Sequence, residues 1–325
     1  MKRTLVGLFA LAAAASTALA PAGAQEISPA IIYDLGGKFD KSFNEAAYNG
    51  AERFQTETGI EYRDFEIQND AQREQALRRF VRDGNNPIVM AGFSWATVLE
   101  TVAAENPETD FAIIDAVVDL PNVRSIVFKE QEGSDLVGML AALASESGTV
   151  GFVGGQDIPL IRRFACGYVG GAKAANPDAT VLEAMTGTTP EAWNDPVRGG
   201  EITRSQMSQG ADVVYHAAGG TGVGVLQAAA DEGNLGIGVD SNQNALHPGS
   251  VLTSMVKGVD VAVYDAFMAA NNGAFEYGVA SLGLAENGVS YALDDNNRDL
   301  ITPEMEAAVE EAKAAIIAGE IEVHD

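Results

Sequence analysis

Short apolar runs alternate with amphipathic segments along the first half of the chain, after an apolar stretch at the N-terminus. The apolar runs predict strands at 30–33, 62–67, 87–91, 110–115 and 123–128. Between them, apolar residues recur at helical spacing and predict helices at 43–56, 71–82 and 95–104. Regular alternation of strand and helix is typical of a parallel sheet with helices on both faces.

The same alternation begins again after residue 128 and predicts a second α/β unit. Its strands are expected at 149–153, 180–184, 212–216, 235–239 and 251–255, and its helices at 133–145, 160–175, 197–208 and 223–231. The tail adds a helix at 259–270, a strand pair formed by 276–284 and 290–293, and a helix at 303–317 that Thr302 can cap. No Pro- or Ser-rich linker separates the halves, which favours two closely hinged lobes.

The first 24 residues have the composition of a removable export signal. Lys2 and Arg3 precede an apolar run at 5–19, and residues 22–24 form a small-residue cleavage site. An uncleaved membrane anchor is the alternative, but the run is short for a membrane span and polar chain follows at once. The sequence therefore predicts an exported protein of the periplasm. Because no cysteine lies near the cleavage site, we expect that it is not a lipoprotein.

The chain is strongly acidic, with 46 Asp and Glu against 20 Lys and Arg and a formal net charge of −26. Such a surface repels nucleic acid, and no basic cluster interrupts it. Polyanionic ligands are disfavoured for the same reason. The single cysteine, Cys166, excludes an intramolecular disulfide, and we expect it to be a small buried residue within a helix.

Three predicted strands end in an aspartate: Asp34, Asp115 and Asp240 each follow an apolar run. Ligands of open α/β sheets bind at the carboxyl edge, so these carboxylates are expected to converge on a cleft. Capping of ordinary turns is the alternative for any one of them. Paired carboxylates could also serve a hydrolase, although the sequence does not fix their separation. The three histidines have no metal-ligand spacing, and no metal or other cofactor is expected.

The segment between residues 34 and 44 joins the first strand to the first helix and is rich in candidate ligand groups. Ser42 and Glu45 have the spacing of a capping box, which predicts that the helix begins at Phe43. Phe43 and Asn44 would then lie in the first helical turn, beside Asp34. Phe43 also heads an apolar stripe of this helix, so a position in the core is the alternative.

Three further candidates lie in the second half. Gly222 belongs to a glycine-rich run at a predicted helix start, where backbone N–H groups can approach a hydroxylated ligand; tight packing is the alternative. Trp193 lies in a polar loop between two prolines, where a core position is harder to explain. Together with Phe43 it could stack on a flat aromatic ligand, at about 1–3 kcal/mol per face. Lys257 follows a predicted strand near a crossover, with an exposed surface lysine as the alternative.

The block Asp34-Leu-Gly-Gly-Lys-Phe-Asp-Lys-Ser-Phe-Asn44 resembles the signature of the basic membrane protein family, the purine-nucleoside-binding components of ABC transporters. Further matches follow in family order: Phe111-Ala-Ile-Ile-Asp115, Gly151-Phe-Val-Gly-Gly155, Gly210-Ala-Asp-Val-Val214, Gly219-Gly-Thr-Gly222, Gly236-Ile-Gly-Val-Asp240 and Leu252-Thr-Ser254 with Lys257. The resemblance extends over nearly the whole chain that remains after removal of the signal.

This resemblance implies a type I periplasmic-binding-protein fold, in which two doubly wound α/β lobes are joined by three crossover strands and close on the ligand. The implied N-terminal lobe comprises residues 25–128 and about 257–285. The implied C-terminal lobe comprises residues 129–256 and about 286–325.

The resemblance also implies roles for individual residues at the base of a bound nucleoside. Phe43 would stack on one face of the base, and a second aromatic, matched to Trp193, would cover the other. Asn44 and Asp115 would form hydrogen bonds with the base edges. The family position of Trp193 is often phenylalanine, and this difference bears on which bases fit.

The remaining candidates are implied to surround the sugar. The region of Gly222, together with Asp240 and Lys257, would contact it, and Asp34 would line the same pocket. The sequence thus predicts a monomeric periplasmic protein that captures a nucleoside, foremost a purine nucleoside, and delivers it to an ABC permease without a chemical step. The alternatives are the same fold with a sugar, an amino acid or a signalling molecule as ligand, a carboxylate-dependent hydrolase, and a cytoplasmic sensor.

Overall fold

The structure is a computed structural model that describes residues 27–325, so the export signal predicted at 1–24 lies outside it. The strands are β1 Ala30–Tyr33, β2 Arg63–Glu66, β3 Ile88–Ala91, β4 Phe111–Ile114, β5 Val123–Phe128, β6 Thr149–Gln156, β7 Thr180–Gly187, β8 Val213–Ala217, β9 Leu235–Asp240, β10 Val251–Lys257, β11 Gly278–Leu282 and β12 Val289–Tyr291. The α-helices are α1 Phe43–Thr58, α2 Arg73–Arg82, α3 Ala96–Glu105, α4 Glu130–Ala144, α5 Pro159–Ala175, α6 Pro196–Ser208, α7 Gly222–Asp231, α8 Val259–Asn271 and α9 Pro303–Ile317.

These strands form two six-stranded sheets, one in each lobe. The first has the order β11-β5-β4-β3-β1-β2, and all of its pairings are parallel. The second has the order β12-β10-β9-β8-β6-β7, and its β10–β12 pairing is antiparallel while the others are parallel. The predicted doubly wound α/β class is confirmed.

Both faces of the first sheet are covered by helices. Ile31 and Tyr33 of β1 pack on the side of α1 and α8, whereas Ala30 and Ile32 pack on the side of α2 and α3. All four side chains are fully buried. Because neither face meets water, the strand is a continuous apolar run, which is the pattern that identified it in the sequence.

The second sheet is arranged in the same way. Tyr215 of β8 faces α5, where its ring centroid lies 5.1 Å from that of Tyr168. Its neighbour Val214 packs on the other face against Ile202 of α6 and Val225 of α7. Each lobe therefore has its own covered sheet, and the carboxyl ends of the parallel strands remain open for a site.

The chain passes between the two sheets three times in the described part. The passages are β5 to α4, β10 to α8, and β11 to β12. Backbone hydrogen bonds join them: the Lys129 N–H donates to the Leu282 carbonyl at 3.0 Å, and the Gly258 N–H donates to the Gly288 carbonyl at 2.8 Å. The passages thus lie side by side and form one connection between the lobes.

The expectations for the tail strand pair and for Cys166 are wrong. The segments predicted as a strand pair, 276–284 and 290–293, belong to different sheets, because β11 extends the first sheet beside β5 and β12 extends the second beside β10. Cys166 is exposed, because α5 buries the stripe that contains Phe164 and Tyr168 and turns Cys166 to the opposite side. In contrast, the Thr302 cap is confirmed, since its side chain accepts a hydrogen bond from the Met305 N–H.

No helix among residues 27–325 is both long and apolar enough to cross a membrane.

Candidate ligand-binding site

Asp34, Asp115 and Asp240 all lie at the carboxyl edges of the sheets. Asp34 directly follows β1, Asp115 directly follows β4, and Asp240 ends β9. Asp115 and Asp240 have left-handed backbone conformations, with φ of 70° and 62°. Aspartate tolerates this conformation better than most residues, and it turns the chain sharply at the end of the strand. All three carboxylates line one cavity.

This cavity lies between the two lobes and contains about 590 Å³ of empty space, part of it open to solvent. It collects seven of the eight residues that the sequence singled out: Asp34, Phe43, Asn44, Asp115, Trp193, Asp240 and Lys257. Three of its further lining residues, Asp40, Phe93 and Phe164, were not among the candidates. Residues far apart in the sequence, from both sheets, are thus brought to a single site.

Gly222, the eighth candidate, does not line the cavity. A Cβ at this position would lie 1.9 Å from Cε1 and 2.0 Å from Nδ1 of the His216 ring. Burial lowers the pKa of His216 to about 4, so the ring is neutral at pH 7, and its Nε2 lies 2.9 Å from Gln243 Oε1. At Gly222 the packing alternative therefore holds, and Gly219 is the member of the glycine run that reaches the cavity.

The start of α1 is held by Asp40 rather than by the predicted capping box. The Asp40 carboxylate accepts hydrogen bonds from the N–H groups of Ser42 at 2.8 Å, Asn44 at 3.0 Å and Glu45 at 3.1 Å. The Glu45 carboxylate accepts instead from the N–H of Lys41. The helix does begin at Phe43, as predicted, but the cap is wrong because a residue two positions before Ser42 reaches the free N–H groups first.

Asn44 cross-links the loop that carries the site. Its Oδ1 accepts from the Asp34 N–H at 3.2 Å, and its Nδ2 donates to the carbonyls of Asp34 at 3.4 Å and Gly37 at 3.2 Å. A primary amide has two donor hydrogens and two acceptor lone pairs. Both hydrogens are therefore engaged, and one lone pair of Oδ1 remains for a ligand.

The Trp193 ring packs against the backbone of a glycine, Gly155. A Cβ at Gly155 would lie 2.2 Å from Cζ3 and 2.5 Å from Cε3 of the Trp193 ring, so a side chain there would displace the indole. The Trp193 carbonyl also approaches Gly219 and, in the opposite lobe, Gly36. The tryptophan lies at the end of a 3₁₀ turn, and α6 follows directly with Asp195 as its N-cap. Gly155 of the same lobe therefore makes room for the large ring.

Lys257 is buried at the base of the cavity and is held by two carboxylates. Its Nζ lies 2.7 Å and 2.8 Å from the two oxygens of Asp115 and 3.1 Å from Glu130 Oε1. The exposed-lysine alternative is excluded, since Lys257 is 1% exposed. Phe43, Phe128 and Phe164 surround the ammonium with ring centroids at 5.4, 5.0 and 5.5 Å.

The charges of this cluster stabilise one another. Burial alone would lower the pKa of Lys257, but Asp115, Glu130 and Asp240 together outweigh it and raise that pKa. Burial raises the pKa of Glu130, and Asp115 adds to the rise while Lys257 and Arg163 oppose it. Lys257 therefore stays cationic, with its charge already shared between carboxylates.

Asp240 meets the opposite lobe through a hydroxyl group. The Ser42 Oγ–H donates to Asp240 Oδ2 at 2.5 Å, and the Ser241 Oγ–H donates back to the Ser42 carbonyl at 2.8 Å. The Gln243 side chain adds a hydrogen bond from Nε2 to the Lys41 carbonyl at 2.9 Å. Burial raises the pKa of Asp240, and Lys257 and the Ser42 hydroxyl oppose the rise. These contacts join the two lobes on one side of the cavity.

Two polar residues of the site were missed in the sequence. Asp40 could have been found as an Asx residue two positions before Ser42, a common position for a side chain that caps a turn. Glu130 gave no signal, because a glutamate in the first turn of a helix is ordinary. Its importance depends on complete burial between Lys257 and Arg163, which only the tertiary structure produces.

No cluster of histidine, cysteine or acidic residues that could hold a metal ion occurs within residues 27–325.

Comparison with known proteins identifies relatives over most of this chain. The family model of the ABC transporter substrate-binding proteins described as PnrA-like (Bmp) matches residues 29–325. A solved solute-binding protein of an ABC transporter system from Aeropyrum pernix K1 superimposes with a TM-score of 0.84. It is 32% identical in sequence and covers 91% of this chain and 93% of its own. The type I periplasmic-binding-protein fold is thereby confirmed.

Curated relatives show similar identity. The CD4+ T-cell-stimulating antigen of Listeria monocytogenes is 33% identical over 322 residues, which cover 92% of this chain and 88% of the antigen. An uncharacterized lipoprotein of Pyrococcus abyssi is 35% identical over 284 residues, which cover 82% of this chain and 69% of the relative. The name of the latter runs against the expectation that this chain is not a lipoprotein.

Proposed function

We propose that this chain, which belongs to the PnrA-like family of ABC transporter substrate-binding proteins, binds a nucleoside between its lobes. The family consists of substrate-binding components, not enzymes, so the hydrolase alternative is set aside. A small-molecule ligand and a permease partner follow from the family. The choice of a nucleoside, and of a purine nucleoside in particular, is our proposal.

The observation that carries this proposal is the presence of Phe43 and Trp193 in one cavity. The two rings come from different lobes, and both line the same space. A flat heteroaromatic base gains about 1–3 kcal/mol from each aromatic face on which it stacks. A base between these rings would therefore bind both lobes at once and favour their closure. A sugar alone would use only part of this aromatic surface.

The polar groups of the cavity favour a neutral ligand with hydrogen-bond donors. Asp34, Asp115 and Asp240 supply acceptors. Among the described residues that line the cavity, the cation is Lys257, and it is already paired with two carboxylates. An amino acid or a phosphorylated ligand would need an unpaired cation for its anionic group. We assign Asp115 and Asn44 to the base edges, and Asp240, Lys257 and the backbone near Gly219 to the sugar.

We further propose that the protein acts as a monomer in the periplasm and presents the closed, loaded form to its permease. Closure converts ligand binding into a shape that a partner can recognise. The alternative of a lipid-attached form is supported by the name of the Pyrococcus relative. Fractionation of cells, followed by mass measurement of the mature N-terminus, distinguishes a free periplasmic form from a lipid-modified one.

A ligand screen tests the proposed class. Inosine, adenosine, ribose and representative amino acids are added to the purified protein, and the shift of its thermal unfolding is measured. A ligand at about 100 times its dissociation constant stabilises the folded state by about 2.7 kcal/mol. We expect the nucleosides to stabilise the protein in this way. We also expect mass spectrometry to identify a nucleoside as the ligand that co-purifies with the protein. Stabilisation by ribose or amino acids but not by nucleosides would overturn the proposal.

Truncation of the two rings tests the stacking. Phe43→Ala and Trp193→Ala should each weaken nucleoside binding about tenfold or more, because each removes one stacked face. Phe39→Ala is the matched control, since Phe39 lies in the loop just before α1, is 61% exposed and does not line the cavity. Unchanged affinity of both truncated variants in calorimetry would show that the stacking assignment is wrong.

A further inference from the structure

Asp34 has its ionic partner inside its own lobe. Its Oδ1 accepts a hydrogen bond from the Leu35 N–H at 2.7 Å and another from Nη2 of Arg73 at 2.5 Å. Arg73 is the first residue of α2, 39 positions further along the chain. Nothing in the sequence connects the two residues, since neither spacing nor charge pattern distinguishes Arg73 from the other arginines of this helix.

The Arg73 guanidinium is itself fixed from several directions. Its Nε donates to Asp70 Oδ1 at 3.0 Å, and its carbon centre lies 4.9 Å from the centroid of the buried Trp95 ring. Arg73 is 4% exposed, whereas Asp70 on the preceding turn is open to solvent. A buried arginine with a planar contact of this kind loses little further freedom when it binds a carboxylate.

The second oxygen of Asp34 lies against a glycine. A Cβ at Gly92 would lie 2.2 Å from Asp34 Oδ2, and the φ of Gly92 is 109°, a value that L-residues rarely adopt. Gly92 lies at the end of β3, next to β1 in the sheet, and lines the cavity together with Asp34. A side chain at residue 92 would therefore displace the Asp34 carboxylate from its place at the cavity wall.

We propose that Arg73 is a positioning residue of the ligand site: it keeps the Asp34 carboxylate ionised and oriented against Gly92, so that Asp34 accepts a hydrogen bond from an N–H or O–H group of the bound nucleoside. The inference rests on the proposed function. Arg73 does not line the cavity and acts on the ligand only through Asp34.

The electrostatic reason is the burial of Asp34. Burial raises the pKa of this carboxyl group, and Arg73, the Leu35 N–H and the Ser94 side chain oppose the rise. The groups that face Asp34 are thus Arg73 from α2, with Asp70 behind it, and Ser94 from the connection after β3. Without the guanidinium the pKa of Asp34 would rise further, and a protonated Asp34 would present a donor where the ligand needs an acceptor.

The test measures nucleoside affinity by calorimetry for the whole protein between about pH 5.5 and about pH 8.5. Arg73→Gln removes the charge, Arg73→Lys retains it, and Arg78→Gln is the matched control. Arg78 lies on the same helix but pairs at the surface with Glu74 and Glu105. Inosine serves as the probe.

We expect Arg73→Gln to weaken inosine binding about tenfold near pH 6 and to regain much of this loss near pH 8.5, as Asp34 ionises. Arg73→Lys keeps the positive charge, so near pH 6 it should lose less affinity than Arg73→Gln, and its affinity should change little between about pH 6 and about pH 8.5. Arg78→Gln should bind inosine as tightly as the unaltered protein does. A purely structural role would instead give the same loss at every pH, for the lysine variant as well, and that result would overturn the inference.

A double-mutant comparison supplies an independent outcome. In an Asp34→Asn background the Arg73→Gln change should alter affinity less than about twofold, because the carboxylate through which Arg73 acts is gone. An equal loss in both backgrounds would overturn the inference. If Arg73→Gln alone does not fold, this double variant still can, since it removes both members of the buried pair.

The outcomes also separate this inference from the proposed function. If the unaltered protein binds no nucleoside, the proposed function fails and the inference fails with it. If the unaltered protein binds inosine and Arg73→Gln has the same affinity and pH profile, the inference alone fails.

Discussion

Asp115 and Asp240 occupy equivalent places in the two lobes. Asp115 follows β4, which lies between β5 and β3, and Asp240 ends β9, which lies between β10 and β8. Both have left-handed backbones and both contact the opposite lobe. Asp115 does so through the ammonium of Lys257, at the end of β10, whereas Asp240 does so through the hydroxyl of Ser42, just before α1.

The comparison shows that the same position at a strand end can carry different electrostatics. The ammonium group at Asp115 is a full charge that is shared with Glu130 in a buried network. The hydroxyl group at Asp240 is neutral, and burial raises the pKa of that carboxyl despite the nearby Lys257. The two lobes are thus joined by an ion pair at one aspartate and by hydrogen bonds at the other.

Removal of the shared cation should have the largest effect. Lys257→Met leaves Asp115 and Glu130 buried without their partner, which is expected to lower the free energy of unfolding by about 3–5 kcal/mol. Urea unfolding of the ligand-free protein measures this. Lys313→Met is the control, because Lys313 pairs with Glu310 in a partly exposed position. A loss below about 1 kcal/mol for Lys257→Met would mean that the network contributes little to joining the lobes.

Neutralisation of the two aspartates compares them directly. Asp115→Asn removes a charge-assisted contact and should lower the free energy of unfolding by about 2–3 kcal/mol. Asp240→Asn keeps an oxygen that accepts from Ser42, so about 1 kcal/mol or less is expected. The same urea titration measures both. Equal losses for the two variants would contradict the distinction between an ionic and a neutral contact.

A pH dependence of stability is expected on the side of Asp240. Burial raises the pKa of Asp40 to about 7, and Asp240 adds to the rise, while the N–H groups of Asn44, Ser42 and Glu45 oppose it. The pKa of an aspartate in the unfolded chain is about 3.9. Between about pH 4 and about pH 7, the folded protein therefore binds more protons at Asp40 than the unfolded chain does. The contribution of Asp40 to stability is therefore complete below about pH 4 and declines as the pH rises through about 7.

Asp40→Asn cannot titrate and serves to isolate this contribution. The stability of the unaltered protein relative to Asp40→Asn should fall by about 4 kcal/mol between about pH 4 and about pH 7, the value that linkage gives for this shift. Urea unfolding at a series of pH values measures the difference. A difference that is constant with pH, or that grows with it, would show that burial does not keep Asp40 protonated.

Much of the fold could be predicted from the sequence. Strands such as β1 are fully buried apolar runs, and helices such as α5 carry a regular buried stripe, so both leave a clear pattern. The pairing of the tail segments could not be predicted in this way. β11 and β12 are short and close together in the chain, yet each is bound by a different sheet, and pairing over such distances leaves no local trace.

The site was predicted in part. Phe43 and Trp193 could be recognised because an aromatic ring in a polar loop or at a helix start is unusual, and the aspartates because they end apolar runs. Gly222 was assigned to the ligand because a glycine required for packing against His216 looks the same in the sequence as one required for a close approach.

The sequence by itself determined which elements form, where the strands end and which residue types lie at those ends, because these properties depend on local patterns of hydrophobicity and turn formation. Only the tertiary structure decided the partners of the buried charges. These partners are distant in the chain: Lys257 pairs with Asp115 and Glu130, Ser42 bonds to Asp240, and Arg73 pairs with Asp34. Burial and neighbouring charge set the protonation of a carboxyl group, and both depend on what the fold places beside it.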